Sequence, residues 1–316
     1  MDLSVVVPVH NEVENVGPLY HELDTVLRSM GVSHEIIFVD DGSRDGSFER
    51  LAELAQQDAR VVVVRLSRNY GQTAALAAGI TQSTGADVVT IDGDRQNDPA
   101  DIPALLAKRR EGFDLVTGWR FRRRDRWLTR RLPSHVANRL IGLITGVRLH
   151  DYGCTLKVIR GDIARSLRLY GEMHRFIPAL VDDLGGRVTE LRVNHRPRVA
   201  GRSKYGMSRT LRVVLDLLTV KFMSSYFTRP IHIFGVVGLL STLIGVAIVG
   251  VLGLERLLLG IRLSDRPLVL LGILLTVMGL QFITMGLLGE LLVRTYHESQ
   301  NKPVYRIDTV LNRGSR

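Results

Sequence analysis

The chain has 316 residues and one cysteine, Cys154, which excludes an internal disulfide and a cysteine-rich metal site. Forty-two lysines and arginines against 32 acids give a formal net charge of +10. A negatively charged partner therefore fits, whether nucleic acid, an anionic membrane surface or a phosphorylated small molecule.

The chain opens on MDLSVVVPVHNE, which has neither the basic segment nor the long apolar run of a secretory signal and reads as a strand that begins at once. Four apolar runs cover 3–9, 35–41, 60–67 and 86–92. They are continuous Val/Ile runs rather than alternating ones, as suits parallel strands covered on both faces. Helical patterns fill 14–30, 47–58 and 72–84 between them. Strand–helix alternation predicts an α/β domain with a mainly parallel sheet. In such sheets ligands bind beyond the carboxyl ends of the strands. Four polar loops sit at those ends: PVHNE, DDGSRDGS, SRNYGQ and DGDRQ.

The last of these poses a chemical question, because a basic chain collects Asp92, Asp94 and Asp98 at the mouth of one strand. Two carboxylates at i and i+2 past a strand can face one hard cation, and Mg²⁺ or Mn²⁺ so held keeps coordination places for substrate phosphates. The acids would then cancel charge on a diphosphate leaving group. Asp40 and Asp41, at a neighbouring strand end, have two readings. They can accept hydrogen bonds from a base or ribose, or DDGSRDGS is only a tight turn with Ser47 as a helix cap. No phosphate-binding P-loop and no dinucleotide fingerprint is present, which argues against an ATPase and a dinucleotide oxidoreductase.

From Trp119 the chain turns very basic, in WRFRRRDRWLTRR. The cluster reads either as a solvated face against anionic lipid, worth about 1 kcal/mol per residue, or as a phosphate site. Single-stranded nucleic acid stacked on Trp119 and Trp127 is a third reading, but no nucleic-acid module accompanies it. His174 reads as bordering an acceptor channel or as a core histidine, and Cys154 as a small buried residue. Residues 208–225 place apolar positions at helical spacing with Arg209, Arg212 and Lys221 between them, an amphipathic helix along a membrane surface.

Residues 231–254 carry no fully charged side chain, and 267–292 are interrupted only by Gln281 and Glu290. Each meets the roughly 20 apolar residues that cross a bilayer as a helix; the bland alternative is a pair of buried core helices. Basic residues before the first run and after the second put both termini, and the catalytic part, on the cytoplasmic side of the plasma membrane. The expected organisation is a catalytic domain over 1–207, a juxtamembrane helix over 208–229, two spans over 230–293 and a cytoplasmic tail over 294–316.

Read in order, VVVPVHNEVENV, VDDGSRDGS, RNYGQTAALAAG, DGDRQNDP, GWR, DYGCTLK and GRSKYG resemble the family 2 glycosyltransferases that load sugars onto polyprenyl phosphates. The resemblance covers nearly the whole chain, with two C-terminal spans as in the bactoprenol glucosyltransferase branch. It implies a GT-A fold, a metal-dependent inverting transfer and a nucleotide-sugar donor, with UDP-glucose first and GDP-mannose or a UDP-amino sugar as alternatives. Position by position, Asp92, Asp94 and Gln96 match the metal and diphosphate site. Pro8, His10, Glu12, Asp40, Asp41 and Gly93 match the nucleotide pocket. Arg120, Arg130 or Arg131, and Ser134 match donor or acceptor phosphate contacts, while Arg202 and Lys204 match a basic hook at the membrane surface. His10 stands where Tyr is common, and DGDRQ replaces the frequent Asp-Ala-Asp-Leu-Gln, departures that bear on donor identity. Related enzymes imply self-association through the membrane helices, and the glycine-rich first span suits close helix contact.

Overall fold

The structure, a computed structural model, describes residues 1–121, 142, 146–169, 173–197, 231–259, 266–299 and 305–313. The first half alternates as the apolar runs predict: β1 (Leu3–Val9), α1 (Val13–Ser29), β2 (His34–Asp40), α2 (Ser47–Gln57), β3 (Val61–Leu66), α3 (Gln72–Gln82) and β4 (Asp87–Thr90). Then come α4 (Ile102–Arg110), β5 (Leu115–Trp119), β6 (Lys157–Arg160), α5 (Gly161–Ser166), α6 (Ile177–Asp183) and β7 (Val188–Arg192). Two long helices, α7 (Ile231–Leu259) and α8 (Pro267–Ser299), precede a last strand, β8 (Ile307–Leu311).

The eight strands form one sheet in the order β7-β5-β6-β4-β1-β2-β3-β8. The centre, β4-β1-β2-β3, is parallel, while β6 runs antiparallel between β4 and β5, and β8 runs antiparallel to β3. One face buries Val5, Val7, Ile36, Phe38, Val61 and Val63 beneath α1, α2 and α4, whose Leu19, Leu23, Leu51 and Leu105 join the same core. Each such side chain taken from water stabilises the fold by about 1.5–3 kcal/mol. The other face lies under α3. That helix is built from small residues because it sits almost on the strands: a Cβ at Gly79 would fall 2.3 Å from Val6 Cγ1.

Two compact units divide the chain, Met1–Val220 with Pro303–Arg316, and Lys221–Lys302. The segment after the second apolar run is thus no free tail. Its helix runs on to Ser299, and 307–311 return to the sheet as an edge strand.

In the second unit, α7 and α8 hold spans long and apolar enough to cross a membrane, over Phe234–Leu259 and Pro267–Gly289, only 17% and 11% buried in their most apolar windows. Helices of a soluble core are mostly covered, so this exposure favours the spanning reading. The helices mesh through small residues. A Cβ at Gly238 would lie 2.6 Å from Gly279 O, and one at Gly245 2.6 Å from Gly272 O. Thr242 and Thr276 hydroxyls donate back to Gly238 O and Gly272 O, both at 2.8 Å. Gly238 and Gly245 of the first span thus serve the hairpin itself, whereas a Cβ at Gly250 or Gly253 would meet nothing within 4 Å. The expected amphipathic helix over 208–229 lies outside the described residues.

Candidate active site

The carboxyl ends of β1, β2 and β4 meet at one edge of the sheet, and their loops are stitched together. Asn11 N donates to Ser43 Oγ at 2.9 Å, Glu12 N to Ser47 Oγ at 2.9 Å, and Val13 N to Asp45 Oδ2 at 3.1 Å. The polar residues of DDGSRDGS thus tie the β1 loop in place. Ser47 opens α2 as its first residue instead of capping it, and Asp45 accepts from its N–H at 3.0 Å.

Behind this seam is a cavity of about 230 Å³ lined by Pro8, His10, Glu12, Asp41, Asn69, Gln72, Asp92, Gly93 and Asp94, among others. Seven of the residues expected at the nucleotide and metal site are on that wall. Asp40 is not: it is fully buried behind it, where Oδ1 accepts from Ser43 N at 3.2 Å and Arg65 Nε stands 3.7 Å from Oδ2. Burial pushes its carboxyl up. Gln96 also lies off the cavity wall. Its backbone N–H donates to Asp94 Oδ1 at 3.1 Å, and its carbonyl accepts from Arg196 N at 2.8 Å.

Asp41 accepts from the backbone N–H of Tyr70 at 2.7 Å and of Gly71 at 2.9 Å, clamping the loop between β3 and α3. His10 sits against that clamp. Its Nδ1 lies 2.8 Å from Asp41 O, a carbonyl that only accepts, so the hydrogen is on Nδ1. Nε2 then accepts from Asn69 Nδ2 at 2.9 Å. His10 and Asn69 also form the wall shared with a second, larger cavity of about 690 Å³, on which Arg44, Arg65 and Arg68 lie. Gly42 holds φ +65°, and a Cβ there would meet the backbone of Arg68 and Asn69 at 2.6–2.9 Å. Gly42→Ala therefore pushes on the clamped loop from below and is expected to cost about 1–3 kcal/mol of stability, read as an earlier urea midpoint.

The acid pair is strongly biased toward a cation. Burial, then the adjacent charge of Asp94, pushes the Asp92 carboxyl up to about 6, against a hydrogen bond from Thr155 and the charges of Arg120 and Lys157. Gln72 Nε2 donates to Asp92 Oδ1 at 2.6 Å. Two hard oxygen donors on one cavity wall fit Mg²⁺ or Mn²⁺, the remaining coordination places going to ligand phosphates and water. Among the described residues, no cluster of three or more His, Cys, Asp or Glu side chains forms a closed metal cage. A metal ion held there would compete with the proton for Asp92. Cation affinity at this pair is therefore expected to hold above about pH 6 and to fall roughly tenfold per unit below it. Titrating Mn²⁺ for half-maximal activity between pH 5 and 7 reads this out.

Arg120 follows β5, where Nε and Nη2 form a two-pronged pair with Asp151, at 2.7 and 2.9 Å. Burial works against its charge, but the Asp151 bonds outweigh it and hold the guanidinium protonated. Much of its fork is thus engaged inside the protein. Lys157 is buried nearby, donates to Cys154 O, and is pushed down by burial. His174 is buried with Nδ1 2.7 Å from the Thr73 hydroxyl, the core reading of that residue. Trp119 stacks on His150 at 4.1 Å with Arg192 over its ring at 4.9 Å, so the indole already has partners. Arg130, Arg131, Ser134, Arg202 and Lys204 lie outside the described residues.

Gln72, Asn69, Asp151, Thr155 and Lys157 stand at the site without having been singled out from the sequence. Their motifs, RNYGQ and DYGCTLK, were the available signal.

Residues 4–168 match the profile of Glycosyl transferase family 2. The chain belongs to that family. It is 42% identical over 316 residues (99% of this chain, 94% of the relative) to the dodecaprenyl-phosphate galacturonate synthase of Rhizobium johnstonii (strain DSM 114642 / LMG 32736 / 3841). Among solved structures it is similar to mannosyl-3-phosphoglycerate synthase from Rubrobacter xylanophilus, with TM-score 0.57, 17% identity, and 70% and 74% of the two chains covered. Glucosyl-3-phosphoglycerate synthase from Mycobacterium tuberculosis, in complex with Mn²⁺, UDP and phosphoglyceric acid, gives TM-score 0.54 and 22% identity over 70% and 78%. These likenesses show the fold, GT-A, and the family makes this glycosyltransferase an enzyme. The antiparallel β6 and β8 qualify the mainly parallel sheet expected from sequence without changing the edge at which the site lies.

Proposed function

We propose that this glycosyltransferase moves a sugar from a nucleotide sugar to a polyprenyl phosphate at a membrane surface. One observation carries the reading. The cavity that gathers Asp92, Asp94, Asp41 and His10 belongs to a chain alike over nearly its whole length to an enzyme named for a dodecaprenyl-phosphate sugar. We place a hexuronate ahead of glucose as the transferred sugar, because the same relative is named for galacturonate.

The chemistry follows from the residues. A lipid monophosphate has a second pKa near 6 and is largely dianionic at neutral pH, so it arrives as a ready nucleophile without a general base. Its oxygen forms the new bond to the anomeric carbon as the bond to the diphosphate breaks, and the electron pair leaves with the nucleoside diphosphate. His10, Asp41 and Asn69 would hold the nucleoside end, and Asp92 and Asp94 would hold Mg²⁺ or Mn²⁺, which when bound would neutralise charge on the departing diphosphate. Thr155 and Gln72 fix the Asp92 carboxylate, while Asp151 fixes Arg120, whose charge is felt at Asp92. The basic residues flanking the two apolar helices support a site on the cytoplasmic side of the plasma membrane, where Arg130, Arg131, Ser134, Arg202 and Lys204 would meet phosphates.

A panel of radiolabelled UDP-galacturonate, UDP-glucuronate, UDP-glucose, UDP-aminoarabinose and GDP-mannose, each offered with undecaprenyl phosphate and Mn²⁺, tests this. Label from a uronate donor should enter the organic phase. Label from neutral donors alone would overturn the uronate choice. No label from any donor, despite nucleotide binding, would favour a non-catalytic membrane scaffold with the same fold.

A further inference from the structure

The strand β8 follows the second long helix closely in sequence, from Ser299 to Ile307, and closes the sheet beside β3. Its pairing runs Val63↔Leu311, Val64↔Val310 and Arg65↔Thr309, then shifts register between Arg65 and Leu66, where β3 runs into the loop over 67–71. Bulges of this kind occur next to active sites, where they re-aim the chain. The contact continues into the loop itself: Ser67 N donates to Arg306 O at 3.0 Å, and the Ser67 and Tyr70 hydroxyls lie 3.0 Å apart. The far end of the loop is the pair of N–H groups clamped by Asp41. The loop that lines the donor cavity is thus held at both ends, by Asp41 from inside and by the C-terminal strand from outside.

The strand is anchored beyond its pairing. Asn312 takes φ +60° and its amide reaches three carbonyls, those of Ala55, Asp58 and Val61. Arg313 reaches the buried Glu35 at 3.6 Å. Asp308 lies on the wall of the larger cavity, which Arg68 of the loop also lines.

We propose that the C-terminal strand is a positioning element of the donor site: it holds the loop over 67–71 in its nucleotide-receiving shape, so donor binding requires residues 305–313. The part concerning donor affinity rests on the function proposed above; the part concerning the loop does not. An ordered loop loses less freedom on binding, so its release should raise the donor KM about tenfold and leave kcat and the acceptor KM unchanged.

The test uses the full chain in detergent micelles against a chain ending at 304, with hydrogen exchange as a readout that needs no ligand. Loss of protection at the Tyr70 and Gly71 amides, with β1 and β2 still protected, is the expected result. A synthetic peptide of residues 303–316 added in trans should restore it. Unchanged protection over 67–71 in the shortened chain overturns the proposal. Should the shortened chain lose protection throughout the sheet, Asn312→Ala decides in the same assay: selective loss at 67–71 supports the proposal, and wild-type protection there overturns it. A loosened loop with an unchanged donor KM would refute the positioning role while leaving the sugar-transfer reading standing.

Discussion

Asp94→Asn lowers kcat by about 10²- to 10³-fold, the usual loss when one group aimed at developing charge is removed, and the residual rate no longer responds to Mg²⁺ or Mn²⁺. The substitution keeps the size of the side chain and an oxygen for the Gln96 N–H. It removes the charge that, after burial, does most to push Asp92 up to about 6. With its neighbour neutral, Asp92 ionises more readily but holds a cation alone. Asp92→Asn should therefore resemble Asp94→Asn, and the double variant should be little worse than either, because groups acting as a unit are strongly non-additive. Steady-state turnover with and without EDTA is the measurement. The variant protein should still be recovered in membranes, since α7 and α8 are untouched. Wild-type turnover of Asp94→Asn in EDTA would remove the basis for a metal-assisted transfer.

Asp151→Ala destabilises the catalytic unit by about 3–5 kcal/mol, the cost of leaving a buried charge without its partner. The side chain of Arg120 is 17% exposed and that of Asp151 4%, so little water reaches the guanidinium once the carboxylate is gone. Asp151 also accepts from the backbone N–H of Gly153 at 3.1 Å, helping to shape the turn that leads to Cys154 and Lys157. Urea unfolding followed by tryptophan fluorescence, to which Trp119 beside Arg120 contributes together with Trp127, reports the loss. Arg120→Met combined with Asp151→Ala should be less damaging than Asp151→Ala alone, because the orphaned charge goes with it. A single variant as stable as the wild type would show that Arg120 finds another anion or water.

Much of the architecture could be read from residue order. The valine and isoleucine runs of β1, β2, β3 and β4 are buried on both faces, so their burial shows directly as uninterrupted apolar sequence. The two long apolar helices were equally plain, because a bilayer demands some 20 apolar residues in a row. The strands β5 and β6 were not singled out. They span only Leu115–Trp119 and Lys157–Arg160, and β6 carries Lys157 at a buried position. The last strand was read as a tail, since IDTVL is short and its value comes from the edge of β3 it covers.

The site shows the same division. Asp92, Asp94, Asp41 and His10 could be placed at strand ends from sequence, because a parallel sheet delivers its carboxyl ends to one edge whatever the details of packing. The rest is a matter of partners far apart in the chain. Asp40 is chemically like Asp41 and adjacent to it, yet Asp40 is the last residue of β2 and is buried in the core, and only Asp41, just past the strand, reaches the cavity. Gln72 meets Asp92, Asp151 takes up Arg120, and residues 305–313 return across the length of the chain to brace the loop over 67–71. Local sequence carries propensity and periodicity; which polar groups satisfy one another in a low-dielectric interior is settled when distant segments meet.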